Sequence, residues 1–320
     1  MSSAGKSAGA GKGAGGTGGT GGTGGGSGAG HVQGVVERVP TRDGRTLHAM
    51  VLAGPSGTEA GAVPTVVFEA GAAATRSSWA LVQPLVAEAA RAVVYDRAGL
   101  GLSPADPGPR TLPRMAEDLA DLLDHFGPGP YILVGHSAGG PLVRLAAAGL
   151  KAAGHPDRVR ALVLVDPTDE GTGLLFRPLF RRAERATIAV TLLLARVGLL
   201  RFLFGWLAKA LPEDARRDLL ADGLAPGVIR TQRAQSRTYL DDVAAFRTAP
   251  PDVTGIPVTV ISGALPGSGI SRATRRAINR AHAASAAAAS PGRHVIAEQS
   301  GHYIPVTEPE LVAEEIRRLV

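Results

Sequence analysis

Between Thr65 and Val165 short apolar runs alternate with helical segments, and this alternation restricts the fold more than any other feature of the chain. Thr65 to Phe68, Ala92 to Tyr95, Tyr131 to Val134 and Val159 to Val165 are runs of strand length with little polar alternation, as expected of strands covered on both faces. Trp79 to Ala90, Leu112 to Phe126 and Gly140 to Lys151 lie between them with helical spacing, and Leu119, Leu122, Leu123 and Phe126 share one face of the second. Strand–helix–strand units on short loops give parallel strands with right-handed crossovers. The expected class is therefore α/β, with a mostly parallel, doubly wound sheet. Two further strands, Val32 to Val39 and Thr46 to Leu52, precede it and are joined by a turn at Asp43-Gly44.

Residues 168–250 break the rhythm, with helical patterns and no clear strand. It resumes with a strand at Val258 to Ile261, a helix at Ser271 to Ala289, a strand at Val295 to Ala297 and a closing helix at Pro309 to Val320. This predicts a core built from 31–167 and 251–320, with a helical cap over 168–250 inserted after the sixth strand. The cap would cover the strand ends where open α/β sheets bind ligands. Residues 1–30 are glycine-rich and have almost nothing to bury, so a disordered tail is expected there. A phosphate-binding loop is the sharper reading of those glycines, but no strand precedes them and no helix pattern follows.

Composition removes several function classes. The chain has no cysteine, which excludes disulfides, a cysteine nucleophile and a thiolate metal site. The net charge of +6 comes mainly from dispersed arginines, and aromatic residues are only 4% of the chain. Without a basic stripe interleaved with stacking rings, no nucleic-acid partner is expected. Neither a cofactor nor a metal is expected. No apolar segment follows Lys6 and Lys12, so there is no recognisable secretory signal and a cytoplasmic location is the expectation.

The chemistry concentrates at Gly135-His136-Ser137-Ala138-Gly139, between a buried strand and a helix. A serine on so tight a turn is lifted above the sheet, and its flanking glycines avoid Cβ clashes. The Ala138 amide and the helix N-terminus aim at the same point and can stabilise an oxyanion. A serine hydroxyl needs a base. His302, in Ser300-Gly301-His302-Tyr303, lies after the last core strand at the same sheet edge, whereas His136 is expected to point elsewhere. The base needs an acid to fix its tautomer. The loop after Val258 to Ile261 contains no Asp or Glu, and Asp252 lies at the opposite edge. Asp166 stands at the correct edge, with Asp169 and Glu170 as alternatives. In the loop after the third strand, Gly71 permits close approach and the Ala72 amide is the expected second oxyanion donor. Glu69 either orients that loop or pairs with Arg97.

Taken together, three segments resemble the α/β-hydrolase superfamily over roughly residues 32–320: the Ser137 pentapeptide, Tyr95-Asp96-Arg97-Ala98-Gly99-Leu100-Gly101-Leu102-Ser103, and Ser300-Gly301-His302-Tyr303 with Glu308-Pro309. The resemblance implies an α/β-hydrolase fold with a helical cap and a Ser137–Asp166–His302 triad acting through an acyl-enzyme. It implies a carboxylic ester or related acyl substrate. A serine at the nucleophile position argues against dehalogenase and epoxide chemistry. The sequence departs from the pattern at Glu69-Ala70-Gly71, where many members carry His-Gly, and in placing the acid after the sixth strand. A catalytically silent binding relative, an acyltransferase and an aminopeptidase are the alternatives.

Thr187 to Leu211 is strongly apolar but interrupted by Arg196 and Arg201, so it cannot span a bilayer. The preferred reading is a cap whose apolar face closes over the site and favours an apolar small-molecule substrate. A lid touching a membrane is the alternative.

Overall fold

The computed structural model describes residues 30–55, 63–267 and 269–320. One sheet contains β1 (Val35–Pro40), β2 (Thr46–Leu52), β3 (Thr65–Glu69), β4 (Ala92–Tyr95), β5 (Tyr131–His136), β6 (Val159–Val165), β7 (Val258–Gly263) and β8 (Gly292–Ala297). Their spatial order is β1-β2-β4-β3-β5-β6-β7-β8. β2 runs antiparallel to β1 and β4, and the remaining neighbours are parallel. This is the mostly parallel, doubly wound sheet that the alternation predicts. After β4 the chain crosses back over β3 to build β5. The β3 and β5 ends therefore diverge at a topological switch point, which opens a crevice between their loops.

The core helices are α1 (Val82–Ala87), α2 (Leu112–Phe126) and α3 (Gly139–Ala152). The strands feed both faces by their period of two. Leu133 and Leu162 pack with Leu119, Leu122 and Leu142 of α2 and α3 on one side. Ile132, Val134 and Val163 pack with Trp79, Val82 and Val86 on the other. α2 starts where the sequence directs it: the Thr111 side chain caps Arg114 N–H at 3.3 Å, with Pro113 in the first turn.

Two expected elements start three residues later than their patterns. The strand expected from Val32 begins at Val35, because Gly34 takes φ +87° against the Val51 carbonyl and Val32 N–H instead bonds Asp214 at 2.6 Å. The helix expected from Trp79 starts at Val82, after a 3₁₀ turn at Arg76–Trp79. Pro84 fits only a first turn, since further inside its ring would clash with the preceding turn. The tail expected to be disordered over residues 1–30 lies, except for Gly30, outside the described residues.

Between β6 and β7 the described regular elements are helical: α4 (Pro178–Arg196), α5 (Leu200–Leu203), α6 (Gly205–Ala210), α7 (Glu213–Asp218), α8 (Pro226–Gln235) and α9 (Tyr239–Ala245). α4 buries Ile188, Leu192 and Ala195 against Leu100, Leu200, Val228 and Ile229. Those inward residues account for only part of the apolar stretch. Val190, Leu193, Val197, Phe202, Leu203 and Trp206 face outward. The chain closes with α10 (Arg272–Ala288), α11 (Ile304–Thr307) and α12 (Pro309–Arg317).

Candidate active site

Ser137 occupies the turn between β5 and α3 with φ +53°. The turn is held by Ser137 N–H to Val165 O at 3.0 Å, and by Gly140 and Thr168 N–H groups to Ser137 O at 3.1 and 2.9 Å. A Cβ on Gly135 would lie 2.6 Å from the Gly139 carbonyl, one on Gly139 2.6 Å from the Glu69 carbonyl, and one on Gly140 2.6 Å from Pro167. Gly135 and Gly139 are thus required by backbone crossing close to backbone, and Gly140 by the Pro167 ring. Among the described residues, the non-glycine residues with positive φ are Ala73, Ser137 and Asp166. All three adjoin this crevice, and strained backbone of this kind persists where the surroundings over-determine it.

His302 arrives on the loop between β8 and α11. Glu308 anchors that loop by accepting from Gln299 N–H at 3.0 Å and from the Ser300 hydroxyl. The Glu308-Pro309 pair seen in the sequence therefore ends one helix and starts the next while fixing the histidine. His302 Nε2 lies 3.0 Å from Ser137 Oγ, and its Nδ1 lies 2.6 Å from Asp166 Oδ2. Asp166 follows β6 and is buried. It also receives Arg275 of α10, Nη1 to Oδ1 at 2.6 Å and Nη2 to Oδ2 at 3.1 Å. Burial opposes its ionisation, but the hydrogen bond and charge of His302, with Arg275, outweigh burial and hold the carboxyl well below the usual carboxylate range. Arg275 is itself buried, so losing either partner would strand a charge inside the protein, at about 3–5 kcal/mol.

The alternative acids do not reach the histidine. Asp169 accepts from Gly171 N–H at 2.7 Å and from the Ser285 hydroxyl at 2.5 Å. Glu170 takes both arms of Arg144 at 2.7 Å. Asp252 pairs with Lys151 at the far edge. After β7, a Cβ on Gly263 would lie 2.0 Å from Gly301 O, so the histidine loop packs directly on that strand end.

Glu69 both pairs with Arg97 and orients the loop, so its two readings describe one network. It accepts from Tyr95 and Arg97, and Arg97 also donates to Ala70 O at 2.5 Å and Gly71 O at 2.6 Å. With the Ala70 and Gly71 carbonyls held by Arg97, the next residue, Ala72, lines the crevice. Neither the Ala72 nor the Ala138 N–H is used in a turn or cap bond. Both residues line a cavity of about 160 Å³ with Ser137, Thr168, Glu184 and Tyr239. A second, apolar cavity of about 290 Å³ meets it at Ala72 and Gln232, and is walled by Leu200, Phe204, Leu207 and Ile229. Ser137 therefore lines the first cavity, and the larger apolar one opens next to it. Among the described residues no three His, Asp or Glu side chains converge as metal ligands.

Sequence reasoning missed two residues that shape the site, and the partner of a third. Arg275 carried no signal, being one arginine among several on a surface-like helix. Tyr239 of α9 donates to Ala138 O at 3.0 Å. His136 does point away from Ser137 Oγ, but toward the histidine loop: its Nε2–H donates to His302 O at 2.9 Å. Burial first, and the neighbouring His302 second, push His136 down to about 3. An unfolded chain would protonate it near pH 6.5. Between those values the unfolded state binds more protons, so stability should fall as the pH drops through that window, by up to roughly a few kcal/mol. His136→Gln keeps an N–H for the His302 carbonyl and should flatten this slope. Urea midpoints across the window would show it, and an unchanged slope would contradict a neutral, buried His136.

A family model described as "Alpha/beta hydrolase family" matches residues 66–315. RutD of Azorhizobium caulinodans, whose name proposes carbamate hydrolysis, is 33% identical over 118 residues, which is 37% of this chain and 42% of that protein. Lipase LipV of Mycobacterium tuberculosis is 47% identical over 73 residues, 22% of this chain and 25% of its own length. The matched span is thus less than half the length of these curated relatives. Among solved structures, the epoxide hydrolase CorEH superposes with a TM-score of 0.67 at 20% identity, covering 89% of this chain and 98% of that one. At that identity the likeness speaks to the fold.

Proposed function

The chain belongs to the alpha/beta hydrolase family, and from that premise we propose that it is a serine hydrolase cleaving a carboxylic ester or related acyl compound through an acyl-enzyme. The observation that carries this reading is the unbroken series Ser137 Oγ, His302 Nε2, His302 Nδ1 and Asp166 Oδ2, with separations of 3.0 and 2.6 Å.

Ser137 Oγ attacks the acyl carbon while His302 Nε2 takes its proton. The carbonyl π electrons move to oxygen, and the Ala72 and Ala138 N–H groups receive the oxyanion. Asp166 stabilises the imidazolium through Nδ1–H. Collapse breaks the bond to the leaving group, which takes the proton from His302 and leaves the acyl group on Ser137. Water then adds to the acyl carbon with its proton passing to His302, and collapse returns that proton to Ser137 and releases the acid. The apolar compartment supports a hydrocarbon acyl or alcohol group as one half of the substrate.

The test is labelling by a fluorophosphonate, together with turnover of p-nitrophenyl esters of graded chain length. One label per chain at Ser137 and a preference for longer chains are expected. A folded protein that neither labels nor turns over any ester would instead be a silent relative of the fold.

A further inference from the structure

We infer that the outer face of the cap, formed by the end of α4 with α5 and α6, docks on the surface of an anionic lipid bilayer. Val190 and Leu193 of α4, and Val197 directly after it, follow one another at helical spacing on the side away from the buried Ile188, Leu192 and Ala195. Past Gly198, Leu199, Phe202, Leu203 and Trp206 continue the outward apolar series. Phe202 is 73% exposed and Leu193 59%. Isolated exposed apolar residues are ordinary, but so dense a run on neighbouring short helices marks a surface that something covers.

The charges indicate what covers it. From residue 186 to residue 212 the charged residues are Arg196, Arg201 and Lys209, with no acid. Arg201 lies over the Phe202 ring, its guanidinium carbon 5.6 Å from the ring centroid. A segment of apolar and aromatic side chains whose own charges are all cations matches an anionic lipid interface. A second copy of the chain would bring like charges face to face. Among the described residues no helix is long and apolar enough to cross a membrane, so the contact is peripheral.

The same segment reaches the site from its other side. Leu200, Phe204 and Leu207 wall the apolar cavity, and Trp206 packs edge-on against Tyr303 at 5.3 Å, next to His302. Docking would hold that cavity at the lipid surface. Delivery of an acyl substrate from the lipid rests on the hydrolase reading, whereas the docking itself does not.

The experiment is flotation of the full chain with vesicles of phosphatidylcholine, alone or mixed with phosphatidylglycerol. Binding to the mixed vesicles, weakened by salt, is expected. Arg196→Gln and Arg201→Gln should each lower partitioning roughly fivefold. The double variant Phe202→Ser/Leu193→Ser should lose it while keeping its thermal unfolding midpoint. Three results would overturn the inference: no vesicle binding, equal binding by the double variant, or a dimer in sedimentation that the same variant dissolves. None of them bears on fluorophosphonate labelling of Ser137, so the two readings fail separately.

Discussion

Ser137→Ala is expected to lower kcat for a short-chain p-nitrophenyl ester by a factor on the order of 10⁴ to 10⁶, with little change in KM. The substitution removes Oγ and leaves everything else in place. Alanine tolerates the φ of +53° about as well as serine, and the backbone bonds that hold the turn do not involve the side chain. The unfolding midpoint should therefore stay close to that of the parent, and the loss can be read as chemistry. Residual turnover would come from the Ala72 and Ala138 amides acting on a water near His302. Steady-state kinetics with burst-phase measurement checks it. Activity within tenfold of the parent would mean that another nucleophile acts and that the crevice is misassigned.

Asp166→Asn should cost on the order of 10⁴ in kcat, for a different reason. An asparagine amide facing His302 Nδ1 at 2.6 Å would force the proton onto Nε2, the nitrogen that must accept from Ser137. The imidazole would then donate where it has to accept. The variant should also be less stable, because Arg275 loses the charge that compensates it in the interior. Asp169→Asn is the comparison: that carboxylate bonds Ser285 and a turn amide, so only a few-fold change is expected. Kinetics and urea unfolding of both variants, side by side, separate chemistry from folding. A larger kinetic loss in Asp169→Asn would overturn the choice of acid.

Much of this was legible in the sequence because it is local. β2, β4, β6 and α2 begin and end where their apolar patterns do. The Ser137 turn could be recognised from the strand before it and the helix after it. Asp166 could be reached by asking which acids lie at the right edge of a parallel sheet. Arg275 could not be, because it meets Asp166 across 109 residues and nothing around it marks one arginine of α10 as buried. The apolar stretch from Thr187 to Leu211 was visible, but not its division. Ile188, Leu192 and Ala195 turn inward and Val190 and Leu193 outward because α4 is covered on one side only, and which side depends on how α8 packs against it. The helix expected from Trp79 failed for a local reason that was present in the sequence, the demand of Pro84 for a first turn.

The three left-handed residues bear on how this protein could be improved. Ala73, Ser137 and Asp166 each hold a conformation that side chains other than glycine and asparagine resist, so the fold gives up some stability at each. A library screened for heat resistance alone would be drawn to Ala73 and Ser137, where a glycine relaxes the chain, though not to Asp166, whose loss would strand Arg275. Ser137 carries the proposed chemistry, and Ala73 follows the proposed oxyanion donor. Gains made there would come at the expense of turnover, so thermal hardening should be sought in the flanking helices and in the exposed rim of the sheet.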